Sequence, residues 1–141
     1  MPNHRSESFD PYPPPAAGEL PPQILIADDD QQLRTSLAQV LQRHGYATVT
    51  VKNGRDALDY LAEHPVALMI TDIFMPDFDG LELIFAMRKI EPRPRLIAMS
   101  GGDDGVMPDA LNVAAALGAE RLLGKPFDAE QLLRCVRETL G

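Results

Sequence analysis

From Gln23 onward, apolar runs of strand length alternate with segments whose apolar positions recur at helical spacing, the arrangement that parallel strands joined by crossover helices require. Residues 24–27 form the first run. In the segment that follows, Leu33, Leu37, Val40 and Leu41 fall on one helical face, which ends near His44-Gly45. Residues 46–51 read as a second strand. After Asn53-Gly54 a short helix carries Ala57, Leu58, Leu61 and Ala62 as far as His64-Pro65, where proline forbids continuation. Residues 66–71 give a third strand, and Asp79 caps a third helix with Leu81, Leu83, Ile84, Phe85 and Met87 on a wide apolar face. Glu91-Pro92-Arg93-Pro94 breaks that helix ahead of a fourth strand at residues 96–99. Pro108-Asp109 introduces an alanine-rich helix from Ala110 to Leu117, closed by Gly118. Residues 122–124 form the fifth strand. Asp128-Ala129-Glu130-Gln131 then has the form of a capping box, and Leu132, Val136 and Leu140 recur every four residues along a last helix. The class is α/β with a five-stranded parallel sheet.

Length and composition narrow this picture. A chain of 141 residues has room for one domain of ordinary size. The net charge of -8 and pI near 4.7 exclude a nonspecific nucleic-acid or anionic-membrane binder, because no basic cluster can replace phosphate counterions. No apolar run approaches the roughly 20 residues of a membrane-spanning helix, and the N-terminus lacks the apolar core of a secretory signal. Cys135, the single cysteine, sits beside Leu132, Leu133 and Val136 and reads as a small buried hydrophobe, suited to a reducing cytoplasm. Residues 1–22 are rich in proline and poor in aliphatics, the composition of a flexible extension, which leaves residues 23–141 as the folded domain.

Candidate chemistry gathers where strands end. The first strand runs into Asp28-Asp29-Asp30, the third into Asp72, the fourth into Ser100 and the fifth into Lys125. Parallel strands place all their C-terminal ends along one edge of a sheet, so these groups converge on one pocket. Carboxylates at Asp28, Asp29 and Asp72 would repel one another in a partly desolvated site unless positive charge is supplied. Oxygen ligands without His or Cys point to Mg2+, with Mn2+ as a substitute, and together with Lys125 the cation would balance the three acids. Asp72 is the candidate nucleophile, able to accept a phosphoryl group as an acyl phosphate, with Ser100 and Lys125 each engaging a phosphoryl oxygen. The structural alternatives are that Asp28 or Asp30 caps the first helix, that Ser100 satisfies a loop amide, and that Lys125 is an exposed strand-end charge. Asp77 and Asp79 read as turn and cap residues, and Asp103, Asp104 and Asp109 belong to a solvated loop and helix start. His4, His44 and His64 show no metal-ligand spacing.

In this order, the acidic pair, the Met75-Pro76-Asp77-Phe78-Asp79-Gly80 turn after Asp72, the hydroxyl and Lys125-Pro126 make residues 23–140 resemble the receiver domain of two-component response regulators, typified by the bacterial chemotaxis regulator. The resemblance implies a doubly wound, flavodoxin-like sheet in the order 2-1-3-4-5. It implies that Asp72 is phosphorylated by a histidine kinase or phosphotransfer protein. Asp29, Asp72 and the backbone carbonyl of Phe74 would ligate Mg2+ directly, and Asp28 through a water. Ser100 matches the switch hydroxyl, and a cis peptide is expected at Lys125-Pro126. Leu122 departs from the pattern, since many relatives carry a switching Tyr or Phe there. The Gly- and Asp-rich segment after Ser100 is longer than in compact relatives. No effector domain follows before Gly141, so the expected protein is a stand-alone switch or relay rather than an enzyme, a monomer or weak phosphorylation-linked dimer that signals to another protein through its first helix and through its fourth helix, fifth strand and last helix. Two other readings compete. One is a haloacid-dehalogenase-like phosphatase using Asp28 and Asp30 as its acid pair, although Gln32 stands where that family carries Thr or Val. The other is a receiver-like adaptor that works without phosphorylation.

Overall fold

All five residues of the strand Leu68–Asp72 are buried, which places it in the middle of a sheet covered on both faces. The computed structural model describes residues 23–75, 80–101, 112, 114–115 and 118–141. Among them the chain runs β1 (Gln23–Ala27), α1 (Gln31–Arg43), β2 (Ala47–Val51), α2 (Gly54–Glu63), β3 (Leu68–Asp72), α3 (Gly80–Met87), β4 (Arg95–Gly101), β5 (Arg121–Lys125) and α4 (Ala129–Leu140). The strands form one parallel sheet in the order β2-β1-β3-β4-β5, the doubly wound, flavodoxin-like arrangement expected.

Alternation along each strand divides the core in two. Ile24, Ile26, Ile70, Ile97 and Met99 face one side, where Leu37 and Leu41 of α1 and Leu132 and Val136 of α4 cover them. Leu25, Ala27, Met69, Leu96 and Ala98 face the other, against Ala57 and Leu61 of α2 and Leu83, Ile84 and Met87 of α3. Short polar side chains start the helices. Asp30 Oδ1 accepts from the Leu33 N–H at 3.2 Å, and Asn53 Oδ1 accepts from the Asp56 N–H at 2.7 Å. Asp128 and Gln131 form the expected reciprocal capping box, with bonds of 2.8 and 2.9 Å. Helix α1 stops at His44, and Gly45 follows with φ of 92°, a left-handed conformation that suits glycine.

Several expectations need correction or fall outside the description. Phe85 is 57% exposed, and Ala62 is also exposed, so neither belongs to the core face assigned to it. A helix of eight residues buries one stripe, already filled in α3 by Leu83, Ile84 and Met87; the Phe85 ring instead meets the Arg88 guanidinium at 5.8 Å. Strand β3 begins two residues later than the pattern suggested because its pairing with β1 starts at Ile24 and Leu68. Thr139 is buried despite its hydroxyl, which donates to the Cys135 carbonyl at 2.7 Å, and its own carbonyl accepts from Arg95 Nη1 at 2.9 Å. The Lys125-Pro126 and Glu91-Pro92 peptides are both cis. Residues 1–22, the Asp79 cap, the segment after Gly101 and most of the helix expected at residues 110–117 lie outside the described residues, although Ala114 is seen buried among the α2 and α3 side chains. Among the described residues no helix is long and apolar enough to cross a membrane.

The sequence pattern treats Ile70 and Phe85 alike, whereas the structure separates them. Ile70→Ala is expected to lower the unfolding free energy in urea by about 2–5 kcal/mol, and Phe85→Ala by less than about 1 kcal/mol.

Candidate functional site

Register brings the polar strand ends to one level of one edge. Ala27 pairs with Thr71, so Asp28, one residue further along, stands beside Asp72 on the adjacent strand, at the spacing of about 4.8 Å that neighbouring strands keep. Asp72 in turn pairs with Met99, which puts Ser100 one step beyond it, and Gly101 pairs with Lys125. The Asp28 N–H donates to the Val51 carbonyl at 3.2 Å and fixes the point where the chain leaves β1.

The side chains then converge. Carboxylate oxygens of Asp28, Asp29 and Asp72 all lie within 4.8 Å of one another, with Asp28 and Asp72 buried and Asp29 exposed. The Lys125 ammonium donates to Asp28 Oδ2 at 3.0 Å and to Asp72 Oδ2 at 3.3 Å. Asp28 Oδ1 accepts the Asp30 N–H at 2.9 Å, and Asp72 Oδ1 faces the Phe74 N–H at 3.4 Å. Ser100 is buried at the end of β4, while Phe74 is 38% exposed at the rim. Leu122 of β5 is 43% exposed. Asp30 turns to α1 as its cap, so it does not join Asp28 in the acid pair that a dehalogenase-like site needs.

Burial pushes the Asp72 carboxyl up from 3.8 to about 6, and the nearby Lys125 charge offsets only part of that. Asp28 is raised for the same reason, against the opposing pull of the Asp30 N–H and Lys125. For Lys125 burial acts to lower the value, but the two carboxylates outweigh it and the ammonium is held above its ordinary range. The site therefore carries more negative charge than its protein groups neutralise. A hard divalent cation fits this deficit, since the donor set is all oxygen and its atoms are close enough to share one ion.

Two contributors carried no sequence signal. Arg34 of α1 donates from Nη1 to the Asp28 carbonyl at 2.8 Å; in the sequence it is one more charge on a solvated helix. Thr71, fully buried, donates its hydroxyl to the Asp72 carbonyl at 3.0 Å, although alternation alone marks it as an ordinary strand residue.

Comparison with known proteins agrees with this geometry. The sequence profile described as "Response regulator receiver domain" matches residues 24–137. The chain is 40% identical over 118 residues to the "DNA-binding transcriptional regulator NtrC" of Azospirillum brasilense, covering 84% of this chain and 24% of that protein. It is 32% identical over 118 residues to the "Response regulator receiver protein CpdR" of Brucella abortus, covering 83% of this chain and 95% of that protein. The solved structure of the chemotaxis response regulator CheY4 of Vibrio cholerae aligns with a TM-score of 0.76 at 27% identity, covering 85% of this chain and 99% of the other. The chain thus spans about a quarter of the first relative and nearly all of the other two.

A desolvated carboxylate leaves a pH signature. Because the folded state holds the Asp72 proton more tightly than the unfolded chain, stability falls as pH rises from about 4 to about 6, and the difference between 3.8 and about 6 corresponds to about 3 kcal/mol. In chelator-treated protein, Asp72→Asn is expected to be the more stable at pH 7.5, with an advantage that shrinks as pH falls through 6 towards 4. Urea unfolding across that range checks it; parallel curves for the two proteins would show that desolvation of Asp72 is not the cause.

Proposed function

The chain belongs to the response regulator receiver domain family of two-component signalling, and from that premise we propose that Asp72 is its phosphoacceptor, charged by a phosphohistidine of a kinase or phosphotransfer protein in a Mg2+-dependent reaction. The observation that carries this reading is the single ammonium of Lys125 shared between Asp28 and Asp72, inside a cluster of three carboxylates that still lacks positive charge.

Each residue has a distinct part. Asp72 Oδ attacks the phosphorus of the donor, forming an O–P bond as the P–N bond of phosphohistidine breaks; the imidazole nitrogen leaves with the bonding pair and takes up a proton. Asp29, Asp72 and the Phe74 carbonyl are the direct ligands proposed for Mg2+, with Asp28 acting through a bound water. A bound Mg2+ supplies a hard positive centre against the charge spread over the transferring oxygens. Lys125 leaves its place between the two acids to pair with one phosphoryl oxygen, and the Ser100 hydroxyl donates to another. Both groups sit at the ends of neighbouring strands, so modification of Asp72 would pull the loops that follow β4 and β5 toward it.

The receiver occupies residues 23–141 in this reading, with residues 1–22 as an N-terminal extension. Output passes to another protein rather than to DNA, which the net charge of -8 supports. A buried lone thiol at Cys135 accords with a reducing cytoplasm.

Incubation with Mg2+ and acetyl phosphate is expected to add one phosphoryl mass to the intact protein. Asp72→Asn should add none, chelator should abolish the gain, and Mn2+ should restore it. Lys125→Ala is expected to slow labelling by about a hundredfold. Mass spectrometry over time reads all five, and wild-type protein that stays unlabelled with every donor tried would overturn the proposal.

A further inference from the structure

Arg34 occupies a place that helix physics does not favour. It lies in the first turn of α1, where the helix dipole presents its positive end and a cation is mildly unfavourable. It is half-buried, and among the described residues it forms no salt bridge, even though three aspartates precede it by four to six residues. Its guanidinium instead donates to a backbone carbonyl, that of Asp28, at 2.8 Å. Charge-assisted bonds of this kind are short and strong, and leaving a carbonyl at a strand end without its partner is costly.

The bond completes the fixation of one residue. Val51 holds the Asp28 N–H, Asp30 holds Oδ1, Lys125 holds Oδ2, and Arg34 holds the carbonyl. That carbonyl belongs to the peptide joining Asp28 to Asp29, so its orientation sets where the Asp29 carboxylate points. Asp29 is exposed, yet its oxygen lies within 4.8 Å of those of Asp28 and Asp72. No hydrogen bond to its side chain is seen among the described residues, so its backbone must do the aiming.

We infer that Arg34 is a positioning residue of the cation site, clamping the Asp28-Asp29 peptide so that the exposed Asp29 carboxylate is aimed at the buried pair before any cation arrives. This rests on the proposed Mg2+ site, and it adds a residue that touches neither the cation nor the phosphoryl group. Partners of this outer kind commonly contribute ten- to a hundredfold to metal affinity.

Electrostatics and positioning predict opposite signs for its removal, which makes the inference decidable. Deleting a positive charge beside a divalent cation strengthens binding of that cation, whereas releasing the peptide weakens it. Titrating Mg2+ by calorimetry into metal-free wild type, Arg34→Met and Arg34→Lys separates the two. Arg34→Met, nearly matched in length, is expected to bind about tenfold more weakly, and Arg34→Lys, which retains a donor and the charge, to recover a substantial part of the loss. Thermal unfolding of each metal-free variant shows whether the fold is intact, and Arg34→Lys keeps the comparison available if Arg34→Met does not fold. Equal or tighter binding by Arg34→Met, or Arg34→Lys no better than Arg34→Met, would overturn the clamp while leaving the phosphoacceptor reading in place. Absence of Mg2+ binding by wild type would instead remove the proposed site itself.

Discussion

Two buried carboxylates sharing one ammonium is the constraint around which this structure is arranged. Asp28 and Asp72 sit where water is largely excluded, and Lys125, 97 residues from Asp28 in sequence, reaches across the edge to both. Desolvation costs each acid more than the lysine returns, as the elevated values of both carboxyls attest. A protein selected for stability alone would place apolar residues there. The proposed divalent cation, followed by the proposed phosphoryl group, would supply the charge balance that this under-neutralised pocket lacks.

The doubly wound sheet is what makes this costly arrangement tolerable. Side chains on both faces of the strands are buried in two separate cores, so the backbone below the site is held from both sides. β3, buried throughout, carries Asp72 at its end, and the outer strands β2 and β5 flank the site with less buried side chains. A rigid centre with looser flanks suits a switch. The proposed acceptor, Asp72, ends the central strand, while Ser100 and Lys125, the groups proposed to respond to it, are carried on the strands nearer the open edge.

Legibility in the sequence followed physical locality. Strand and helix identities were readable because hydrophobic periodicity is a local record of which face is buried, and the capping box at Asp128 was readable because capping is settled within four residues. The convergence of Asp28, Asp72, Ser100 and Lys125 on one edge was readable because parallel topology forces it. Phe85 was misassigned for a reason of the same kind: an apolar residue beside a filled stripe looks like core until the helix's neighbours are known, and α3 had no room left. Arg34 was invisible because its role is a bond to a backbone carbonyl, and no residue type in the sequence marks which carbonyl lacks a partner.

The Asp28-Asp29-Asp30 run shows how one composition divides into three functions once the chain turns. Asp28 is buried and held at its N–H, its carbonyl and both carboxylate oxygens; Asp29 stays exposed, with an oxygen near the buried pair; Asp30 gives its N–H to Asp28 and commits its side chain to capping α1. Each role excludes the others, because a carboxylate committed to a helix N–H has fewer lone pairs for a cation and one held by Lys125 is already partly neutralised. Asp29 and Asp30 are both exposed, but only Asp29 has a carboxylate oxygen within reach of the buried pair. The turn between β1 and α1 thus divides three identical residues into a buried acid held on every side, an exposed acid beside the buried pair and a helix cap.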